Sequence, residues 1–275
     1  MIKLKRTPVY VFSVIAAVIF LYPLLYSFFS SLKDNVEIYN NSVFSLPDVW
    51  RWDNYKMALV DANISRAILN SFIYAIPGTF LCLVLSLMVA FVLSRYKLRM
   101  NGFLYNYFAI GLMIPVFSLM IPISKVVGAL HLFNSYPLMI VLYGVFEMPL
   151  AIFLITGYMK GISKELDESA IIDGCGPIRL LFQIIAPLTM PAVSTAGILS
   201  FFDIYNDLVW NVILISDQNM NNISMALMSF VGQQGSSQLG PTFAGIMLTI
   251  VPTIVVYLLF QEKVEKGLSA GAVKE

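Results

Sequence analysis

Residues 168–191 read ESAIIDGCGPIRLLFQIIAPLTMP, a polar and glycine-broken stretch in an otherwise apolar chain. Together with the residues just before it, this stretch predicts a first short helix over residues 164–172. Several carboxylates lie in the first turn of that helix, where the helix macrodipole favours them. Asp173 and Gly174 then end the helix, because glycine takes up the left-handed conformation that a C-terminal cap requires.

A second helix is expected to restart at Gly176 and Pro177, since proline is tolerated in a first helical turn. Apolar residues at i, i+3, i+4 and i+7 then form one stripe: Ile178, Leu181, Phe182 and Ile185. Arg179 and Gln183 face the opposite side. We expect Pro187 and Pro191 to close the segment where the chain enters an apolar span. The stretch is thus predicted to be a rigid helical knob.

The composition identifies the bilayer as the solvent. Hydrophobic residues make up 59% of the 275 residues and charged residues 12%, with a mean hydropathy of +0.80. A soluble domain needs a much larger charged fraction on its surface. The formal net charge of +1 gives no field that favours nucleic acid. Cys82 and Cys175 are too few for a disulfide framework and are expected to be reduced.

Six apolar runs approach the roughly 20 residues that a membrane-crossing helix needs. They are Pro8 to Phe29, Ala67 to Ser94, Phe103 to Ile123, Ser135 to Gly157, Thr189 to Asn211 and Thr242 to Gln261. The first run lacks a cleavage site and is interpreted as a retained anchor. Prolines within the spans indicate bent helices in a packed bundle, and they lie at Pro23, Pro77, Pro115, Pro149 and Pro252. The fold class is therefore an all-α polytopic membrane protein.

The distribution of Lys and Arg predicts the orientation. If both termini are cytoplasmic, twelve of the 17 basic residues lie on the cytoplasmic side. The five outside are Lys33, Arg51, Lys56, Arg66 and Lys125. The positive-inside rule favours this topology, which places the stretch at residues 168–191 in the cytoplasm. The outer segment 32–66 carries Trp50, Trp52 and Tyr55, whose rings suit the headgroup region.

The order of residues in the cytoplasmic stretch resembles the EAA loop of binding-protein-dependent ABC importer permeases. That pattern has E-A-A, a D-G pair three residues on, and a spaced pair of prolines; here Ser169 replaces the middle alanine and Cys175 follows the glycine. The resemblance implies a type I permease fold and a coupling helix that docks on a cytoplasmic ATPase. The residues it implies for this contact are Glu168, Ser169, Ala170, Asp173, Gly174, Pro177, Leu181, Phe182 and Pro187. Residue types alone leave open an amphipathic loop resting on the inner leaflet.

A second resemblance narrows the group. The tail from Lys266 to Lys274, together with patterns at 28–33, 70–71 and 206–210, is similar to the six-span partner in maltose-transporter-like carbohydrate permeases. It implies one transmembrane permease domain over 1–275: a first span (1–30), a five-span core (66–261) with the coupling loop (159–191), and a cytoplasmic tail (262–275). It also implies the membrane of a prokaryote. The implied partners are a second permease, a dimer of ATPase subunits, an extracytoplasmic solute-binding protein, membrane lipid and a sugar.

Several polar residues within the spans are candidates for the substrate pathway. Glu147 is expected near the bilayer midplane, where a carboxylate is costly unless it faces water or a partner, although an interhelical bond would also satisfy it. Asp203, Asn206, Asp207 and Trp210 at i, i+3, i+4 and i+7 predict a polar stripe with an aromatic end. Such groups suit a polyol, and Tyr143 and Tyr205 add ring surfaces. Contact with the paired permease is the alternative for Asn206 and Asp207.

Several motifs are absent from the chain. No G-x-x-x-x-G-K-[ST] loop is present, so ATP and Mg²⁺ are expected on the partner ATPase, and no cofactor is expected in this chain. The single histidine, His131, does not make a metal cluster. No nucleophile elbow or catalytic carboxylate pair is recognisable, so the chain is expected to be a non-enzymatic transport subunit.

The resemblance implies alternating access driven by the ATPase through the knob, and it makes the outer segment Ser216 to Gly240 a candidate contact for the binding protein. An interfacial loop is the alternative for that outer segment. Two other functions remain open: the same architecture importing an amino acid or phosphate, and an ion-coupled carrier that uses Glu147 and Asp203 as proton sites.

Overall fold

The computed structural model describes residues 7–60, 63–234 and 238–272, and the side chains of these except 7, 231–234 and 262–272. The regular secondary structure within this part of the chain is helical. The helices are α1 (Thr7–Ser30), α2 (Asn35–Asn40), α3 (Asp53–Val60), α4 (Ile64–Arg95), α5 (Asn101–Gly111), α6 (Val116–Ala129), α7 (Tyr136–Met159), α8 (Glu165–Ile172), α9 (Pro177–Arg179), a π-helical segment (Leu180–Ile185), α10 (Ala186–Tyr205), α11 (Val209–Leu214), a 3₁₀ turn (Gln218–Met220), α12 (Ile223–Gln234) and α13 (Leu239–Ala272).

By length and composition, five helices among the described residues are able to cross a membrane. They are Pro8–Ser30, Ile64–Arg95, Tyr136–Met159, Pro177–Tyr205 and Leu239–Gln261. The expectation of membrane spans is therefore confirmed for the first, second, fourth, fifth and sixth runs, with shifted bounds. The tail from Lys266 continues the backbone of α13 as far as Ala272, while Val273 and Lys274 lie outside the described residues.

The third expected span is not one straight helix. α5 and α6 meet at a bend of 92°, and they are long and apolar enough to cross a membrane only when taken together as one broken span. Pro115 caps the start of α6 in an extended conformation, with φ −64° and ψ 124°. Because proline lacks an N–H and disfavours a helical conformation in the residue before it, the chain breaks here rather than bending gently. Pro23, Pro77, Pro149 and Pro252 lie inside helices.

Two compact units can be distinguished. One contains α1 to α3, the first turn of α4, most of α12 and the first part of α13. Within it, the segment after α1 is held by polar contacts: Lys33 is buried and its Nζ donates to the Ser45 carbonyl at 2.6 Å. Asn54 donates to the carbonyls of Ser31 and Lys33 at 2.9 and 3.0 Å. These bonds give the segment between α1 and α4 a defined backbone path.

The other unit, residues 68–224 and 253–275, holds α4, α7 and α10 around two apolar clusters. The first cluster gathers the early part of α4, the early part of α7, the end of α10, α11 and the chain up to Ile223. The second gathers the last turns of α4 and α7 with α8, the π-helical segment and the start of α10. Each cluster thus ties one end of the three helices together.

Small residues allow α4 and α7 to approach closely. A Cβ on Gly144 would lie 2.9 Å from Leu81 Cδ2 and 3.2 Å from the carbonyl oxygen of Gly78. Membrane helices associate mainly through close packing of this kind, because lipid removes the hydrophobic drive between apolar helix faces. α10 also packs against α7. α4 and α10 are in contact as well, since a Cβ on Gly197 would lie 3.0 Å from Leu83 Cδ1. The three helices therefore pack against one another, and α7 carries Glu147 at its middle.

Candidate functional site

The elbow of the expected knob is a Schellman cap. α8 ends at Ile172, and the N–H of Cys175 donates to the Ala170 carbonyl at 2.9 Å while the N–H of Gly174 donates to the Ile171 carbonyl at 3.0 Å. This pair of bonds requires a left-handed residue, and Gly174 supplies it with φ +78°. Cys175 packs on the apolar cluster that contains Ala170, which gives the cap its usual apolar contact. The glycine termination is confirmed.

The second helix begins as expected, with Gly176 as its cap and Pro177 at its first position. It does not end at Pro187. Helical backbone continues from Pro177 to Tyr205, so knob and span form one run of 29 residues. The first part of this run is π-helical, from Leu180 to Ile185. Pro187 has no N–H to donate to the residue four positions earlier, and π-helical turns often accompany such interruptions in a helix.

The π-helical turns divide the expected apolar stripe. Leu181 and Ile185 are buried together with Leu180, whereas Ile178 is 75% exposed and Phe182 is 46% exposed. The single stripe was therefore wrong, because it assumed 3.6 residues per turn where the helix is wider. Arg179 and Gln183 do share one exposed face, with Arg179 Nε donating to Gln183 Oε1 at 2.8 Å.

The knob consequently has a buried base and an exposed outer face. Ala170 and Leu181 lie in the base. The exposed apolar side chains of the outer face are Ile171, Ile172, Ile178 and Phe182. Glu168, Ser169, Asp173, Pro177 and Pro187 are also exposed. A shallow groove crosses this face, lined by Gly176, Pro177, Ile178, Arg179, Phe182 and Gln183. Of the expected coupling residues, Pro177 and Phe182 line this groove together, Ala170 and Leu181 are buried, and the role of the set in coupling stays a prediction.

A buried ion pair attaches α8 to the end of α4. Arg95 Nε lies 2.9 Å from Asp167 Oδ2, and the two side chains are only 4% and 12% exposed. Burial raises the pKa of the Asp167 carboxyl above its ordinary value, while the Arg95 guanidinium opposes that shift. Sequence reasoning counted Arg95 only as a cytoplasmic charge. The one signal that could have found the pair is an arginine at the end of a long span followed by an acidic helix.

Near the middle of α7, Glu147 lies among polar groups from α10 and α4. Its carboxyl is close to Ser200 and has Asp203 as a like-charged neighbour. The Ser200 hydroxyl lies 3.8 Å from Cys82 Sγ, which in turn lies 3.9 Å from the Ser86 hydroxyl. The structure therefore places Glu147 and Asp203 near each other, and their lining of a pathway stays a prediction. Asp203 is exposed and Glu147 is half-buried in this chain.

The remainder of the expected polar stripe is interrupted. α10 ends at Tyr205, and Asp207 lies outside any helix, where it caps α11. Its carboxylate accepts from the backbone N–H groups of Val209 and Trp210 at 3.2 and 3.1 Å and from the Tyr143 hydroxyl at 2.8 Å. A continuous helical stripe was therefore wrong, because capping by aspartate favours a new helix start at this position.

The other two members of that stripe, and the ring near it, differ in exposure. Asn206 is exposed and donates to the Phe202 carbonyl at 2.9 Å. Trp210 is buried and packs against Phe146, with ring centroids 4.8 Å apart. Tyr205 is fully buried, and its hydroxyl has no hydrogen-bond partner in the part of the chain that the structure describes. Trp210 and Tyr205 therefore belong to the packed core of this chain.

The chain between α11 and α12 is held by side chains of the early part of α4 and of Asn134. Asn70 donates to the carbonyls of Asn219 and Asn221, both at 2.9 Å, and Tyr74 donates to the Met220 carbonyl at 2.8 Å. Asn134, just before α7, accepts from the N–H groups of Ser216 and Asp217 at 2.7 and 3.0 Å. Sequence reasoning placed this segment outside but missed that its backbone is anchored. His131, also expected in an outer loop, is exposed.

Comparisons with known proteins agree with this architecture. In a crystal structure of a bacterial ABC transporter involved in the import of the acidic polysaccharide alginate, one chain aligns with a TM-score of 0.81 over 94% of this chain and 96% of its own length. The sequence identity is 22%, so this likeness shows the fold, that of a type I ABC importer permease.

Curated relatives match nearly the whole chain. A diacetylchitobiose uptake system permease protein from Streptomyces coelicolor is 32% identical over 259 residues, which cover 94% of this chain and 85% of the relative. A multiple sugar-binding transport system permease protein from Streptococcus mutans is 30% identical and covers 96% of both chains. A trehalose transport system permease protein from Mycobacterium tuberculosis is 30% identical and covers 92% of both.

The family profile described as "Binding-protein-dependent transport system inner membrane component" matches residues 82–268. These residues run from the middle of α4 into α13 and include the whole knob. The match agrees with the resemblance drawn from the D-G pair and the spaced prolines. This multi-pass membrane chain belongs to the family of binding-protein-dependent transport system inner membrane components.

Proposed function

We propose that this chain is the permease subunit of an ATP-driven importer for a carbohydrate, and that the α8–α10 knob receives the motion of a separate ATPase. The observation that carries the proposal is the division of the knob into a buried base and an exposed apolar face. The base is part of the apolar cluster at the ends of α4 and α7. A force applied to the exposed face is therefore transmitted to the packed helices.

The exposed face has the character of a protein-docking surface. Ile172 is 85% exposed and Ile178 is 75% exposed, and both lie close to the left-handed elbow at Gly174. Apolar side chains beside the carboxylates of Glu168 and Asp173 suit a partner groove with an apolar floor and a basic rim. A leaflet surface is the alternative, but carboxylates beside the apolar residues oppose contact with anionic lipid.

The proposal includes the membrane orientation of the chain and its partner subunits. Both termini are placed in the cytoplasm because twelve of the 17 basic residues then lie inside. A second permease would cover the exposed faces of the spans, two ATPase subunits would receive the two knobs, and a binding protein would deliver the sugar from outside. ATP hydrolysis is assigned to the partner because the sequence carries no phosphate-binding loop.

The carbohydrate substrate is supported by the relatives, whose names state diacetylchitobiose uptake, trehalose transport and multiple sugar-binding transport. Within this chain we assign the lining of the pathway to Glu147, Asp203 and Asn206, which are half-buried or exposed. Carboxylates and amides suit hydroxyl-rich ligands because they accept, or accept and donate, hydrogen bonds. Tyr143, Asp207 and Trp210 support that lining from behind, through the cap of α11.

In the mechanism, closure of the ATPase dimer moves the knob, and the knob moves the bundle as a body. Alternating access then follows from rocking one permease against the other around the polar cluster. The π-helical segment connects the knob directly to α10, so the two form one helical run. No loop lies between them that would absorb a displacement of the knob.

The proposal is tested by photo-crosslinking in intact membranes. A benzophenone amino acid at Ile172 should capture a nucleotide-binding subunit, whereas the same probe at Ile121, an exposed residue of α6, should not. Uptake of labelled di- and oligosaccharides, amino acids and phosphate by cells that carry the complete transporter identifies the substrate. Capture of no ATPase by Ile172 in transporting cells, or uptake by the purified chain alone on a proton gradient, would overturn the proposal.

A further inference from the structure

The contacts of Arg95 extend beyond its ion pair with Asp167. Its Nη1 donates to the carbonyl of Ile162 at 3.0 Å, in the short connection between α7 and α8. The guanidinium therefore holds two points of the coupling segment, the connection before α8 and the first turn of α8. Arg95 itself is the last residue of α4, which is 32 residues long.

We propose that Arg95 is a positioning residue that ties α8 to the cytoplasmic end of α4, so that displacement of the knob reaches α4 directly. This inference rests on the proposed function, because it assigns a route to the motion that the knob receives. Covalent connections run from the knob only into α7 and α10. α4 lacks such a connection, and apart from apolar packing its attachment to α8 within the described residues is this ion pair.

The geometry requires arginine. Nε lies 2.9 Å from Asp167 Oδ2 in an ion pair, and Nη1 donates a hydrogen bond to the Ile162 carbonyl, so one rigid planar group contacts both partners. A lysine ammonium at the same position is a single point charge and does not hold both acceptors in fixed directions. Removal of either charge would leave the other buried and unpaired, which makes the pair an all-or-none contact.

A positive charge that served only membrane topology would not need these contacts. Lys97 and Arg99 follow within four residues and are exposed, so the cytoplasmic end of α4 keeps its positive charge without Arg95. Arg99→Gln is therefore the matched control: the same residue type is lost from the same end of the helix, but no buried contact is broken.

The tie is measured by spin-label distances between α4 and α8. Labels are placed at Val92 and Ile171, both exposed, in a background in which Cys175 is replaced by Ala and the buried Cys82 is kept. In the chain alone, in lipid nanodiscs, we expect one narrow distance for the parent and for Arg99→Gln. Arg95→Gln and Asp167→Asn should broaden the distribution, and Arg95→Lys should give an intermediate width because it keeps the charge.

The same labels in the assembly with its ATPase test the transmission. The α4–α8 distance should stay constant between the nucleotide-free and the ATP–vanadate states in the parent, and should change between them in Arg95→Gln. ATP hydrolysis should continue in that variant, while the response to nucleotide of a label at Met88 on α4 falls about 2- to 30-fold, the range of measured coupling effects.

The outcomes separate the two proposals. If Arg95→Gln shows the parent's distance distribution and the parent's response at Met88, the tie does not exist, whether or not an ATPase binds. If no ATPase assembles with any variant, the proposed function fails, while the distances in the chain alone still decide the contact. If Arg95→Gln does not insert into the membrane, the distance distribution of Arg95→Lys decides the test instead.

Discussion

The hydroxyl of Tyr143 donates a hydrogen bond to the carboxylate of Asp207 at 2.8 Å, and so joins the middle of α7 to the break between α10 and α11. Tyr143→Phe removes this bond without changing the ring. We expect a loss of about 1–3 kcal/mol in stability, because a buried carboxylate loses a donor. The measurement is the midpoint of thermal unfolding in detergent.

The chain supplies a matched control for that substitution. Tyr205 is equally buried, but its hydroxyl has no hydrogen-bond partner among the described residues. Tyr205→Phe should leave the midpoint unchanged or raise it. Equal losses for the two variants would show that the bond to Asp207 contributes nothing.

Substitution of Asp207 is expected to lower the stability of the chain, whereas substitution of Asp203 is expected to lower sugar uptake. Asp207→Ala removes both the cap of α11 and the acceptor of the Tyr143 hydroxyl, so it should cost more than Tyr143→Phe, about 1.5–5 kcal/mol. Asp203→Ala changes an exposed residue and should alter stability by no more than about 0.5 kcal/mol, yet lower sugar uptake through the lost contact. Thermal unfolding and whole-cell uptake are measured for both variants. An Asp203→Ala variant with normal uptake would remove Asp203 from the pathway.

The π-helical segment predicts opposite effects for two neighbours. Leu181 is buried, so Leu181→Ala should destabilise the chain by about 2–5 kcal/mol through the cavity left behind. Phe182 is nearly half-exposed, so Phe182→Ala should keep the stability of the isolated chain but weaken the capture of ATPase during purification. A large fall in the unfolding midpoint for Phe182→Ala would contradict the division of the knob into base and face.

The left-handed elbow gives a fourth pair of variants. Gly174→Ala places a Cβ at φ +78°, which should cost about 1–2 kcal/mol and loosen the knob. Gly176 has φ −74° and open space around it, so Gly176→Ala should be tolerated. Limited proteolysis at the knob reports the difference. Indistinguishable cleavage rates would mean that the Schellman cap does not hold the elbow.

The cap of α2 by Asp34 indicates how the segment after α1 responds to acid. The backbone N–H of Glu37, followed by Arg51, holds the pKa of Asp34 below its ordinary value of 3.8. Because the folded pKa is the lower one, the stabilisation is present above 3.8 and is lost as pH falls through the folded pKa. Thermal unfolding scans from pH 6 downwards should show this loss in the parent chain but less of it in Asp34→Asn. Identical pH profiles for the two chains would rule out this contribution.

Much of the architecture could be predicted because it depends on local chemistry. Glycine at a C-terminal cap and long apolar runs act over a few residues, so the elbow at Gly174 and most of the spans were confirmed. The resemblance to ABC importer permeases came instead from the order of residues in the cytoplasmic stretch, and the family match confirms it.

The errors arose where backbone geometry departs from the ideal helix. A periodicity of 3.6 residues assigns Ile178 and Leu181 to one face, but the π-helical turns bury one and expose the other. Asp207 looked like one member of a helical stripe because no local signal distinguishes a lining carboxylate from a capping one. The pairing of Arg95 with Asp167 joins residues 72 positions apart, and hydropathy carries no information on such contacts.

The anchoring of residues 216–223 has a consequence for engineering. Asn70, Tyr74 and Asn134 form hydrogen bonds with main-chain atoms of that loop. These bonds therefore depend on the length and backbone path of the loop more than on the identity of its side chains. A graft of equal length from a related permease should therefore seat in the same place. A single inserted residue would shift every carbonyl past its donor, so loop exchange tolerates substitution but not insertion.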